Sequence, residues 1–207
     1  MREPYGVILA GGRATRMGGG DKGLLQIAGQ SLLARVVDRI APQVAGLALN
    51  ANGDAARFAG FGLPVLPDGI AEYPGPLAGV LAGMDWAAAQ GADHVVSVAA
   101  DTPFFPEDLV PRLLLAAETE AKPIALAATP RPDGGHWRHP TFGLWPVALR
   151  HDLRAALEGG LRKVVLWTDS HGTATAPFPA TPFDPFFNVN TPEDLETARR
   201  MAEGARA

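Results

Sequence analysis

The chain has 207 residues, enough to bury a full core as one domain. Apolar residues make up 47%, charged residues 19%, and the formal net charge is −4, so the basic excess of a nucleic-acid binder is missing. There is no cysteine, which excludes disulfides, thiolate metal sites and cysteine nucleophiles.

The first apolar run, Gly6-Val7-Ile8-Leu9, reads as a buried strand. It is too short for a signal-peptide core or a membrane span, and no later stretch is long enough to cross a bilayer, so a cytoplasmic location is expected. A long glycine-rich loop follows, Ala10 to Gly23, with Arg13, Arg16 and Lys22 as its cations. Few side chains, many free backbone N–H groups and spaced positive charge are what a polyphosphate needs. From Ser31 to Ile40, apolar residues at 32, 33, 36, 37 and 40 share one helix face, with Ser31 as N-cap. Val44 to Asn50 reads as the second strand, residues 54–59 as a short helix and Pro64 to Leu66 as a third strand. The loop Tyr73-Pro74-Gly75-Pro76 opens a helix over 77–89.

His94 to Ala99 is the best candidate for a central strand and ends at Asp101-Thr102-Pro103. A helix over 106–118 and a strand near 124–128 follow. Beyond them, 139–145 reads as a strand, 147–157 as a helix and 173–178 as a strand, while 162–167 fits helix and strand equally. The last helix starts at Thr191-Pro192-Glu193-Asp194, with an N-cap, a proline at the first helical position and two acids in the first turn. Strands alternating with helices predict an α/β fold with a mostly parallel sheet covered on both faces. In such sheets ligands bind beyond the carboxyl ends of the strands. There the sequence places the glycine loop, Asn50, Asp68 and Asp101.

Gly18-x-Gly20-x-x-Gly23 formally matches a dinucleotide fingerprint, but its first glycine lies nine residues past Leu9 and no acid ends a second strand at the required spacing. A P-loop is excluded because no Gly-Lys-Ser or Gly-Lys-Thr occurs. Lys22 and Arg16 are the cations suited to a departing pyrophosphate, whereas Arg13 reads as a solvated side chain. Asp101 at a strand mouth can bind Mg²⁺, which takes one or two carboxylates with phosphate oxygens and water. Asn188 and Asn190 are either further oxygen ligands of that site or turn residues. Asn50, Asn52 and Asp68 can hold a ribose or base or simply make turns, and Asn52-Gly53 favours the turn. His136 and His139 lack partners at metal-ligand spacing, and no Gly-x-Ser-x-Gly element marks an acyl-transfer triad.

Taken together, these segments resemble the molybdenum cofactor guanylyltransferase family. The likeness rests on Leu9-Ala10-Gly11-Gly12, Arg16-Met17-Gly18-Gly19, Asp21-Lys22-Gly23-Leu24-Leu25 and Asn50-Ala51-Asn52 with Asp68. It continues through Tyr73-Pro74-Gly75-Pro76-Leu77-Ala78-Gly79, Asp101-Thr102-Pro103, His139-Pro140-Thr141 and Asn188-Val189-Asn190-Thr191-Pro192-Glu193. The resemblance implies a Rossmann-like three-layer nucleotidyltransferase fold, with a nucleotide-binding half at about 1–102 and an acceptor-binding half at about 103–207. It implies transfer of GMP from GTP to Mo-molybdopterin, with Mg²⁺ as cofactor and molybdoenzymes or cofactor-handling proteins as recipients, and no nucleic acid or membrane partner. By the same resemblance Leu9, Ala10, Gly11, Gly12, Lys22, Asn50, Asp68 and Asp101 contact GTP, and Asp101 binds the metal. Tyr73, Pro74, Gly75, His139, Asn188 and Asn190 fall on the acceptor side. Residues 13–15 and Gly20 sit where the family is expected to vary, so Arg13 and Thr15 carry no role. A cytidylyltransferase on the same pterin, a sugar-phosphate nucleotidyltransferase and a non-catalytic GTP- or pterin-binding chaperone are the alternatives.

Overall fold

The computed structural model describes residues 2–11, 22–70, 75–161 and 163–204. Its centre is a seven-stranded sheet in the order β5-β4-β1-β6-β8-β7-β9. The strands are β1 (Tyr5–Leu9), β4 (Leu47–Asn50), β5 (Val65–Leu66), β6 (His94–Ala99), β7 (Ile124–Pro130), β8 (His136–Pro146) and β9 (Thr173–Pro177). Every pairing is parallel except those of β8, which runs antiparallel to β6 and β7. A small hairpin, β2 (Gln26–Ile27) with β3 (Gln30–Ser31), stands apart from the sheet. The helices are α1 (Leu32–Ile40), α2 (Pro76–Ala89), α3 (Leu109–Thr119), α4 (Arg150–Glu158), α5 (Val164–His171) and α6 (Pro192–Gly204).

Alternation along the strands sorts the core into two layers. Ile8, Val96, Val98, Ala125 and Ala127 face one side, packed on α1 and α3 through Leu33, Val36, Ile40, Leu109 and Leu113. Val7, Val95, Leu126 and Trp145 face the other, against α2, α4 and α5 through Leu81, Met84, Leu153, Val164 and Trp167. This is the three-layer α/β arrangement that the alternating pattern predicts. A third cluster joins α6 to the small hairpin and the start of α1 through Ala198, Ala202, Ile27, Leu32 and Val189.

Two expectations are sharpened. The second strand begins at Leu47, not Val44. The segment that fitted both helix and strand is helical from Val164, where Val164 and Trp167 take the buried face a helix gives to positions i and i+3. The expected caps are present: Ala34 N donates to Ser31 Oγ (3.1 Å), and Asp194 N donates to Thr191 Oγ1 (3.2 Å).

β1 lies between β4 and β6, and the chain leaves β1 toward β4 but leaves β6 toward the opposite side. Such a reversal opens a crevice beyond the carboxyl ends of β1 and β6. Backbone bonds extend the sheet to its rim: Ala10 N donates to Asn50 O (2.8 Å) and Ala100 N to Leu9 O (3.1 Å). Among the described residues no helix is long and apolar enough to cross a membrane.

Candidate active site

Two polar clusters stand on that rim. The first lies beyond β6. Lys22 opens a short 3₁₀ turn (Lys22–Leu24), and its Nζ donates to Asn190 Oδ1 (2.6 Å) while standing 3.8 Å from Asp101 Oδ2. Gly23 makes the close approach possible: a Cβ there would lie 3.3 Å from Leu33 Cβ and 3.7 Å from Ala100 Cβ. Asp101 accepts from Thr102 Oγ1 (3.3 Å), and the same hydroxyl makes a short bond to Asn188 Oδ1. Val189 N donates to the Asp101 carbonyl (2.9 Å), fastening the Asn188–Asn190 segment to the end of β6. Asp194 holds that segment from behind, its Oδ2 accepting from Asn190 N and Thr191 N (both 2.9 Å).

Burial pushes the Asp101 carboxyl above its usual range, against the pull of the Lys22 charge and the Thr102 hydroxyl. Asp101 does not cap the next helix, since α3 starts after Asp108. A desolvated carboxylate with one ammonium at salt-bridge distance is under-compensated, and a bound cation would relieve it. Among the described residues no three His, Cys, Asp or Glu side chains converge as metal ligands. The donor set here is one carboxylate with amide and hydroxyl oxygens. That is hard-oxygen chemistry which fits Mg²⁺ completed by phosphate and water, and it does not fit a nitrogen- or sulfur-seeking metal.

The second cluster lies beyond β4 and β5. Asn50, 4% exposed, donates from Nδ2 to Leu66 O (3.1 Å) and to Asp68 Oδ1 (2.9 Å). Asn52 donates to Asp68 Oδ2 (2.7 Å) and accepts from Asp68 N (2.9 Å). Asn52 therefore does more than make a turn. Gly53 takes the left-handed turn conformation (φ 85°), and the Asn52 amide fixes both the backbone and the carboxylate of Asp68. Above Asn50 runs the start of the glycine loop, with Gly11 so placed that a Cβ would be 3.8 Å from Asn50 Oδ1. Below it α2 begins at Pro76, and its N-terminal N–H groups face the same rim. At Gly79 a Cβ would collide with Asn50 Oδ1 and stand 2.8 Å from Leu9 Cδ2.

The structure thus brings Lys22, Asp101, Asn188 and Asn190 into one cluster, and Asn50, Asp68, Leu9, Ala10 and Gly11 into another. His139 reaches the first cluster indirectly. Its ring stacks on Phe186 at 4.3 Å between centroids, and its Nε2 is hydrogen-bonded to Thr129 Oγ1 at 3.0 Å. Burial holds its pKa below the usual histidine value, opposed by Asp184, so the ring is neutral at physiological pH. Gly75 is exposed and has open space where a Cβ would be. Gly12, Arg16, Tyr73 and Pro74 lie outside the described residues. Sequence reasoning met Thr102 and Gly79 inside longer segments and Asp194 as a first-turn acid, but gave none of them a place in the site, and it passed over Thr129.

Residues 6–172 match the family model of the MobA-like NTP transferase domain. The chain is 54% identical over 200 residues to a molybdenum cofactor guanylyltransferase of Bradyrhizobium sp. (strain ORS 278), covering 95% of this chain and 92% of the relative. It is 56% identical over 199 residues to one of Rhodopseudomonas palustris (strain BisB5), with the same coverage of 95% and 92%. In three dimensions it is similar to molybdopterin-guanine dinucleotide biosynthesis protein A from Archaeoglobus fulgidus. The TM-score is 0.72 at 21% identity over 97% of this chain and 99% of that one, a likeness of fold.

Proposed function

The chain belongs to the MobA-like NTP transferase family, and within it to the molybdenum cofactor guanylyltransferases, from which we infer that it transfers GMP from GTP to Mo-molybdopterin and releases pyrophosphate. The product is molybdopterin guanine dinucleotide. We further propose how the two rim clusters divide this work. The nucleotide-binding half, about 1–102, takes GTP with its base and ribose over Asn50 and Asp68, between Gly11 and the start of α2. Its phosphates run toward β6 and Lys22, and the family resemblance assigns Gly12 to the nucleotide as well, with Arg16 a cation suited to its pyrophosphate. The acceptor-binding half, about 103–207, brings Mo-molybdopterin in from the side of β8 and the Asn188–Asn190 segment.

Strand spacing supports this layout. From β4 to β6 is two steps of about 4.8 Å. A span of about 10 Å is right for a base and its α-phosphate, so the α-phosphorus falls near Lys22 and Asp101. The terminal phosphate of molybdopterin attacks it in line. A new P–O bond forms, the bond to the β-phosphate bridging oxygen breaks, and the electron pair leaves with pyrophosphate. The attacking oxygen is already anionic at neutral pH, so no general base is required. Lys22 is positioned to offset the charge growing on the leaving oxygens, and Asn190 orients its ammonium. Asp101, with the oxygens of Asn188 and Asn190 beside it, would hold Mg²⁺. When bound, that ion neutralises phosphate charge and draws the two anionic substrates together.

The observation that carries this reading is the Lys22–Asp101 pair, 3.8 Å apart beyond the β1–β6 crevice. Its test is pyrophosphate release with GTP, CTP or ATP in the presence of Mo-molybdopterin. Release with GTP is expected. Release with CTP alone would overturn the nucleotide assignment, and tight GTP binding without turnover would replace the enzyme with a cofactor carrier.

A further inference from the structure

The β6–β8 ladder ends at Ser97 opposite Gly143, but β8 continues with β7 as far as His136 opposite Pro130. The β7–β8 hairpin therefore overhangs the carboxyl rim of the sheet, beyond the end of β6 where Asp101 sits. Trp137 stands on this overhang, and its 57% exposure makes it an unusual aromatic. The Thr129–Trp137 and Ala127–His139 pairs place Trp137 on the same sheet face as His139. One strand repeat of two residues, about 6.7 Å, separates them.

The indole is held in a fixed pose. Arg131 lies over its ring, with Cζ 4.5 Å from the centroid. Arg131 is itself tethered by an ion pair to Asp133 at 2.5 Å. The tight turn carrying both closes through Arg131 N to Gly135 O (2.7 Å) and Gly135 N to Asp133 Oδ1 (3.1 Å), with Gly134 in the left-handed region (φ 88°). Arg131 Nε is buried and meets no hydrogen-bond acceptor among the described residues, so this guanidinium is spent on the ring rather than on a full set of polar partners. One face of the indole is covered by a tethered cation and much of the rest is left to solvent. That is the construction of a stacking platform for a flat heterocycle.

The position decides which heterocycle. β4, where the guanine cradle sits, is three strand steps from β8, about 14 Å, so a guanine held over Asn50 and Asp68 cannot reach Trp137. The acceptor can: its phosphate lies near Asp101, and one strand step beyond β6 brings its ring under the overhang. We propose that Trp137, set by Arg131, is the surface on which the pterin ring of the acceptor stacks. This rests on the reading of Mo-molybdopterin as acceptor.

Stacking of a heterocycle on an aromatic side chain gives effects of about 5- to 100-fold on alanine substitution. In steady-state GMP transfer, Trp137→Ala is expected to raise the KM for Mo-molybdopterin by about tenfold or more and to leave the KM for GTP unchanged. Trp137→Phe keeps a flat ring and should stay within a few-fold of wild type. An acceptor KM within twofold of wild type in Trp137→Ala overturns the platform while the function stands. If the wild-type protein does not transfer GMP to Mo-molybdopterin, the proposed function falls instead, and binding still decides the platform. A stable pterin monophosphate should then quench indole fluorescence in wild type and lose that quenching in Trp137→Phe. Equal quenching in the two overturns it.

Discussion

Lys22 and Asp101 face each other across the rim, yet removing each should read differently. Lys22 is held by Asn190 and offers a preorganised cation, so Lys22→Ala should lower kcat by about 10²- to 10³-fold with a smaller change in the KM for GTP. Asp101 carries a cost as well as a role. Its carboxyl is raised above 3.8 by burial, so the folded protein binds a proton more readily there than the unfolded chain does. Stability from this group is therefore complete at low pH and lost as pH rises through its folded pKa. Asp101→Asn removes that penalty. It should abolish most GMP transfer while its Tm at neutral pH equals or exceeds that of wild type, the difference shrinking as pH falls toward 3.8. A large drop in Tm would mean that Asp101 is structural. His139 runs the other way. Its lowered pKa makes the neutral ring the folded form, so stability falls as pH drops below 6.5. His139→Gln should reduce that slope without abolishing it, since burial lowers the His94 pKa in the same range, and the denaturant midpoint measures the difference.

At the scale of elements, α2 is pressed onto the sheet by two glycines one turn apart. Gly79 leaves room for Asn50 and Leu9, and Gly83 leaves room for Val7, whose Cγ1 would be 2.6 Å from a Cβ. Overpacking of this kind costs about 1–3 kcal/mol. Both Gly79→Ala and Gly83→Ala should therefore lower Tm by several degrees. Only Gly79→Ala displaces the Asn50 amide, so it alone should weaken GTP binding, read by titration calorimetry. Equal GTP affinity in the two variants would remove Asn50 from the nucleotide site. The strand ends that carry Asn50, Asp68 and Asp101 were legible in the sequence because buried parallel strands are plain apolar runs stopped by polar residues. The β2–β3 hairpin was not: its turn puts Ala28 at φ 48° beside Gly29 at φ 82°, and alanine gives no turn signal. The irregularity in β8 was equally hidden. Pairing with β7 shifts between Leu126 and Ala127, leaving Pro140 to Phe142 out of that ladder. The freed Thr141 carbonyl accepts from Ser97 Oγ (2.9 Å), which in turn accepts from Trp145 Nε1 (2.8 Å). The Thr102–Asn188 contact joins residues 86 positions apart, and no local pattern foretells a bond that exists only once the sheet is built.

Across the whole molecule, the site is spread along one rim of a single continuous sheet, with β8 as the strand that reverses direction. The parallel strands β4, β1 and β6 deliver loop starts to one edge, where backbone groups and helix N-termini suit a nucleotide. β8 starts at that edge and runs away from it, so it presents side chains of a strand there, which the proposed layout gives to the acceptor. On the proposed layout Asp68 and His139 serve two ends of one reaction, and β4 to β8 spans about 14 Å. Substitutions more than about 7–10 Å apart with no shared partner usually add within about 0.5 kcal/mol. Asp68 is bonded to Asn50 and Asn52, whereas His139 meets Thr129 and Phe186, so the two share none of these partners. Asp68→Ala is expected to raise the KM for GTP alone, and His139→Gln the KM for Mo-molybdopterin alone. The double variant should carry both changes at full size, its kcat/KM losses multiplying. A coupling above about 1 kcal/mol in that double-mutant cycle would show that the two halves do not bind their substrates independently. The rim would then have to close around both substrates as one unit, with Lys22 and Asp101 aligned only after the second substrate arrives.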